Sequence, residues 1–343
     1  MEKTRKRRGT GRVTLQEVAN FAGVGTMTVS RALRTPEQVS DKLREKIEQA
    51  VEELGYIPNR TAGALASGHS HTVAVLVPSL TDKASSRFMQ SLQQVLNKNE
   101  FQLLLGCHEY NQLKEAEILM TLLQGNPAAL VIFGSQLADK THQILEKTNI
   151  PTINVIGSPF SPAQITIETA FFEASHKLTE HLLEQGYKNI GFIGAHMDNR
   201  LQRQQLNGWH KAMLSHYQNT DLVITMPDAA SLQLGRYALN EILLRQPELD
   251  AVICSHEEIA LGIMFECQRR LLKIPGYIAV ACLDGSDNCD QTHPTLTSIR
   301  IDYKKMGIET GKLLIGLLNN NHDESEESRI VQFNYQIELR QST

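Results

Sequence analysis

The chain has 343 residues, 41% of them hydrophobic and 21% charged, with a formal net charge of −4; this suits one small domain plus one of about 250–300 residues. No run reaches about 18 apolar residues, and the basic N-terminus lacks the apolar core of a signal peptide, which predicts a cytoplasmic protein that neither spans a membrane nor is exported. Charge is uneven: residues 1–70 carry 12 Lys and Arg against 8 Asp and Glu, the remainder 22 against 30, so either a basic head meets a polyanion or the tail of residues 1–12 is merely solvated.

Leu15, Val18, Ala19 and Ala22 recur at i, i+3, i+4 and i+7, the stripe of a short amphipathic helix. Gly23 stops it and permits the positive φ of a tight turn, and Gly25 caps a second helix. Val29, Ala32 and Leu33 form the inner face of that helix, leaving Thr26, Met27, Thr28, Ser30 and Arg31 outward. Two short helices joined by a glycine turn fit a helix-turn-helix, whose second helix reads base edges with its N-terminal residues. Thr26 and Met27 are the expected readers, through a hydroxyl and through contact with a thymine methyl; Arg31 suits either guanine or a phosphate.

A third helix is expected from Ser40, burying Leu43, Ile47, Ala50, Val51 and Leu54 and stopping at Gly55. Pro58 then sets an extended link. The stretch Thr61 to Ser67 is too short to be helical alone, and Leu65 is its one large apolar residue.

From Thr72 onward apolar runs alternate with helical stretches. Strands are predicted at Val73–Val77, Gln102–Leu105, Leu130–Phe133, Thr152–Ile156, Ile190–Ile193, Ala251–Ile253 and Ile278–Leu283, with helices at Ser85–Lys98, Leu113–Gln124, Phe171–Gln185 and Ile259–Leu271 among others. Such alternation indicates parallel sheets covered on both faces. Cys107, Cys254, Cys267, Cys282 and Cys289 form no C-x-x-C pair and are expected as reduced thiols. His256-Glu257-Glu258 lacks the second histidine of a zinc motif, the acids after Asp284 miss calcium-loop spacing, and His176 and His181 read as helix-surface residues. No enzyme, metal or cofactor is predicted.

The head carries V-T-L-x-x-V-A-x-x-A-G-V-x-x-x-T-V-S-R-x-L, then V-S-x-x-x-R-x-K-I and L-G-Y-x-P-N-R-x-A-x-x-L. Over about 55 residues it resembles the lactose-repressor (LacI/GalR) family of transcription regulators. Two stretches, residues 35–40 and 265–275, look most like its gluconate and idonate repressor branch. The resemblance implies an all-α helix-turn-helix head joined by a hinge helix to an α/β two-lobed, periplasmic-binding-protein-like domain. Its lobes would be joined by three crossovers. The expected divisions are a basic tail at 1–12, the DNA-binding domain at 13–58, a hinge and linker at 59–70, and the effector-binding and dimerisation domain at 71–343.

By the same resemblance Asn59, Arg60 and Ala62 contact DNA, and Leu65 wedges into the minor groove of an inverted-repeat operator bound by a homodimer. Effector contacts fall by family position on Ser79, Gln205, His256 and Asp284. Gln205 stands where the family usually has a sugar-gripping arginine, and the usual Asn-Asp pair reads His256-Glu257. A sugar acid such as gluconate would need a cation, supplied by Arg203, Arg200 or protonated His256. Another small metabolite, or none, stays open.

Overall fold

The computed structural model describes residues 13–58, 70–134, 137–157, 163, 165–195, 200–319 and 329–343. The chain divides into two compact units between Ser70 and His71.

In the first unit three helices follow from the apolar stripes: α1 Leu15–Ala22, α2 Thr26–Arg34 and α3 Asp41–Leu54. Thr14 and Glu17 close a reciprocal cap on α1: Thr14 Oγ1 accepts the Glu17 amide at 3.3 Å, and Glu17 Oε2 accepts the Thr14 amide at 2.7 Å. Gly23 and Gly55 end α1 and α3 at φ 61° and 63°, left-handed conformations in which a side chain would be strained. The core is built of small residues. Val18, Ala19, Ala22, Val29, Ala32, Ile47 and Ala50 are buried, and Leu15, Leu33, Leu43, Val51 and Leu54 pack around them half-buried.

The second unit holds two six-stranded sheets. The first contains β1 Thr72–Val77, β2 Gln102–Cys107, β3 Ala129–Phe133, β4 Thr152–Val155, β5 Ile165–Thr169 and β11 Arg329–Phe333, in the order β11-β5-β4-β3-β1-β2 and parallel throughout. The second contains β6 Ile190–Ala195, β7 Val223–Met226, β8 Ala251–Cys254, β9 Ala279–Gly285, β10 Thr297–Ile301 and β12 Tyr335–Glu338, in the order β12-β10-β9-β8-β6-β7. Among the described strands of this sheet only β12 runs antiparallel to its neighbour.

Helices α4 Lys83–Lys98, α5 Gln112–Gln124, α6 Asp139–Glu146 and α11 Tyr303–Leu318 belong to the first lobe. Helices α7 Phe171–Glu184, α8 Arg200–Ser215, α9 Leu232–Arg245 and α10 Glu257–Arg269 belong to the second. The chain therefore passes between lobes three times, at Ala170, Asp302 and Asn334.

Both faces of each sheet are covered, which is why the central strands read as unbroken apolar runs. On β8 and β9, Val252, Cys254, Val280 and Cys282 face α9 and α10, while Ala251, Ile253, Ala279 and Ala281 face the Trp209 side. Helices α7 and α8 meet backbone to backbone at Gly208, where a Cβ would lie 2.2 Å from the Phe172 carbonyl oxygen.

Several strands escape the apolar-run criterion: β5, β7, β10, β11 and β12. In β10 the reason is explicit. Thr297 and Ser298 are fully buried, and their polarity is met by tertiary partners, with the Thr297 amide donating to Ser342 Oγ at 2.8 Å and Arg340 Nη1 donating to Ser298 Oγ at 2.8 Å. Strand β4 stops at Val155 rather than at the predicted Ile156, because Ile156 takes φ 58°, an uncommon conformation for a β-branched residue. The five cysteines are all free thiols, four of them buried. Among the described residues no helix is long and apolar enough to cross a membrane.

Candidate functional site

Helix α2 turns Val29 and Ala32 into the core of the head and leaves Met27 74% exposed at its N-terminal end. Arg31, one turn on, is also exposed, and Thr26, Thr28 and Ser30 are half-buried beside them. Met27, Ser30 and Arg31 sit at i, i+3 and i+4 and share one outward face. The expected readers are thus at the accessible end of α2.

The charge of the head is less simply placed. Residues 13–58 hold 5 Lys and Arg against 7 Asp and Glu, so the positive excess of residues 1–70 comes from residues 1–12 and Arg60. Those residues, with the expected contacts Asn59, Ala62 and Leu65, lie outside the described residues.

Between the lobes of the second unit lies a cavity of about 250 Å³. Its walls come from the carboxyl ends of strands, where ligands of open α/β sheets bind: Pro78 after β1, Phe133 and Gly134 at β3, Ile156 after β4, Ser255 and His256 after β8, and Asp284 at the end of β9. Gln205, His256 and Asp284 line it as expected.

Ser79 is not among the lining residues; its hydroxyl accepts the Thr81 amide at 3.1 Å, and Thr81 and Asp82 face the cavity instead. Arg203 is not in the lining either. On α8 the positions that line the cavity are Leu201, Gln202 and Gln205, which leaves Arg203 on the exposed side. Arg200 lines a neighbouring cleft, and its guanidinium donates to the Gly157 carbonyl at 3.2 Å.

Sequence reasoning missed the charged half of the site. Lys83, at the start of α4, reaches across to α10: its ammonium lies 2.7 Å from Glu257 Oε1 and 2.9 Å from Glu258 Oε1. Glu257 Oε1 also accepts from Asn288 Nδ2 at 3.0 Å, and Oε2 accepts the Ser286 amide at 2.6 Å. Burial opposes the charge on Glu257, but these donors outweigh it and hold the carboxyl below the usual range. Arg87 pairs with Asp287 at 3.4 Å.

Among the described residues Asp284 has no such cation. Burial pushes its carboxyl up to about 7; the Tyr303 hydroxyl, donating at 3.1 Å, works the other way, and Glu258, Glu257 and Asp82 add repulsion. Asp82 accepts a hydrogen bond from the Tyr110 hydroxyl. Among the described residues no group of three or more His, Cys, Asp or Glu could hold a metal ion.

Three lining side chains carry buried polar atoms with no hydrogen-bond partner among the described residues: Ser85 Oγ, Gln202 Oε1, and both amide atoms of Gln205, a residue only 1% exposed. Each such atom costs about 1–3 kcal/mol. Gln205→Leu is accordingly expected to raise the thermal midpoint of the ligand-free protein by a few degrees, read by circular dichroism; a lowered midpoint would mean that the amide is satisfied.

Residues 14–59 match the family model of bacterial regulatory proteins of the lacI family, and residues 179–343 that of the periplasmic binding protein-like domain. Over 299 residues the chain is 33% identical to the HTH-type transcriptional regulator GntR of Escherichia coli (strain K12), covering 86% of this chain and 89% of that protein. The chain belongs to the LacI family. A PurR family transcriptional regulator from Vibrio parahaemolyticus RIMD 2210633 is 39% identical with a TM-score of 0.73, over 79% of this chain and 98% of that structure. A LacI-family protein from Silicibacter pomeroyi superposes with a TM-score of 0.88 at 26% identity, over 96% and 99%.

These relatives are transcriptional regulators, not enzymes, and the LacI-family head is a DNA-binding domain. The likeness to GntR agrees with the branch indicated by residues 35–40 and 265–275.

Proposed function

We propose that this LacI-family regulator acts in the cytoplasm as a repressor, binding an inverted-repeat operator as a homodimer. Its affinity is set by a polyhydroxy metabolite, a sugar acid such as gluconate, held between the lobes. The observation that carries the effector reading is the set of unpartnered polar atoms on Ser85, Gln202 and Gln205, contributed by both lobes to one cavity at the strand ends. Ligand hydroxyls would satisfy them, and a ligand touching both lobes has different affinity for different lobe arrangements, which a regulator requires. Lys83 and Arg87 line the cavity where Arg203 does not, each already paired with acids of the second lobe.

The DNA reading rests on the exposed N-terminal end of α2, with Thr26, Met27, Thr28, Ser30 and Arg31 as its contacts. Residues 59–70 serve as the hinge, and residues 1–12 as a basic tail on the phosphates. A second copy of the chain has an apolar edge to meet: β2 ends its sheet with Leu104 and Leu105 over a third exposed.

Selection of bound DNA from a random pool tests this reading. Wild type should enrich an inverted repeat, and Met27→Ala should relax one position in each half-site by about tenfold, the worth of one base contact. Unchanged preference would remove Met27 as a reader, and enrichment of single half-sites would count against the dimer.

A further inference from the structure

Of the carboxylates that line the interlobe cavity, Asp82 and Asp284 are each met, among the described residues, by a phenol and no cation. Asp82, at the N-terminus of α4, accepts from the Tyr110 hydroxyl, and Asp284, at the end of β9, accepts from the Tyr303 hydroxyl at 3.1 Å. The cations in the same walls are engaged elsewhere: Lys83 with Glu257 and Glu258, Arg87 with Asp287. A negatively charged ligand therefore enters a chamber that already holds uncompensated negative charge.

We propose that Asp284 enters the effector complex as a neutral carboxylic acid: a polyhydroxy carboxylate binding between the lobes draws one proton from solvent onto Asp284, which then donates a hydrogen bond to the ligand. The inference rests on the sugar-acid reading above and assigns Asp284 as the residue that makes that response depend on pH.

The size of the cavity makes the argument independent of pose. A space of about 250 Å³ is on the order of 8 Å across, and at an effective dielectric near 20 one full charge at that distance costs an anion roughly thirtyfold in affinity. Protonation removes that penalty and supplies a donor.

The proton goes to Asp284 because of its surroundings. From α4 it faces Asp82, from α10 it faces Glu257 and Glu258, and from α11 the Tyr303 hydroxyl; Tyr110 closes the same corner. Burial and these acids have already brought its carboxyl to about 7, whereas Glu257, gripped by Lys83, Ser286 and Asn288, stays below the ordinary carboxylate range. His256, which lines the same cavity, is held by its neighbours, with Nδ1 2.7 Å from Ser255 Oγ and Nε2 3.3 Å from the Gln202 amide nitrogen. The sign follows: the proton is in place below about pH 7, so affinity for an acid is highest there and falls as pH rises through 7 to 8.

The test is calorimetric titration of the full chain with gluconate at pH 6 and pH 8, in two buffers of different ionisation enthalpy, with neutral glucitol as a control. Expected are a roughly eightfold weaker Kd for gluconate at pH 8, uptake of about two thirds of a proton at pH 8 and little at pH 6, and no comparable pH dependence for glucitol. Asp284→Asn, which is neutral at both values, should bind gluconate with equal affinity at pH 6 and pH 8. Gluconate binding without proton uptake, or a pH dependence retained in Asp284→Asn, overturns the role of Asp284. If glucitol binds and gluconate binds at neither pH, the sugar-acid reading itself fails, and the proposal with it. Should the variant fail to fold, the proton count in wild type decides alone.

Discussion

Glu257→Ala is expected to lower the stability of the two-lobed unit by about 2 kcal/mol, roughly 4–8 °C in the thermal midpoint of a domain this size. The side chain is buried, and its two oxygens gather the Lys83 ammonium, the Ser286 amide and the Asn288 side-chain amide. Removing it leaves the Ser286 amide buried without that acceptor. Breaking a fully buried pair costs about 3–5 kcal/mol, but Lys83 is 39% exposed and keeps Glu258 at 2.9 Å, so solvent screening trims the figure.

The effect has a pH signature. Because the folded-state value of Glu257 is lowered, its stabilisation is present above the ordinary carboxylate range and is lost as pH falls through the lowered value. The melting curves of wild type and Glu257→Ala should therefore separate most near neutral pH and draw together in acid. A midpoint within 1 °C of wild type at pH 7 would mean that Lys83 and Glu258 alone hold the contact.

The second large effect is on DNA. Leu65→Ala is expected to weaken operator binding by ten- to a hundredfold while leaving the melting of the two-lobed unit unchanged. The stretch from Thr61 to Ser67 is too short to be helical by itself, so its folding would be coupled to the operator. A leucine wedge unstacks a base step at a cost of a few kcal/mol and gains the contact area of a bent duplex; alanine cannot fill the step, so the bend loses its support. In a homodimer both wedges are lost together. A gel shift with the selected inverted repeat measures it, and equal affinity for the two proteins would contradict the hinge-wedge assignment.

How much of this was legible in the sequence depended on how local the cause was. The 3.6-residue stripe of Leu15, Val18, Ala19 and Ala22, and the glycines at 23 and 55, act within one helix and its turn, and the head formed where they pointed. Even there the Thr14–Glu17 cap, written as T-x-x-E, went unread. Central strands covered on both faces announced themselves as apolar runs, while β10 did not, because Thr297 and Ser298 are made tolerable by Ser342 and Arg340, more than 40 residues away.

The cavity shows the same division. Of the four residues nominated by family position, Gln205, His256 and Asp284 line the cavity. Ser79 falls between Pro78 and Thr81, which face inward, and Arg203 sits one position out of phase with Gln202. The Lys83–Glu257 pair joins residues 174 apart, and no spacing rule anticipates it. The raised carboxyl of Asp284 is likewise a property of the assembled corner, set by burial, Glu258, Glu257 and Asp82 together.

The central claim is that a DNA-reading head and a ligand cavity between lobes belong to one switch. Equilibrium titration of the full chain onto the selected inverted repeat, followed by fluorescence anisotropy with and without saturating gluconate at pH 6, tests it most directly. One dimer should bind each repeat, far more tightly than a single half-site, with an affinity that gluconate shifts by tenfold or more and that becomes insensitive to gluconate in Gln205→Leu. Operator affinity unchanged by gluconate in wild type, or changed equally in the variant, would contradict the account.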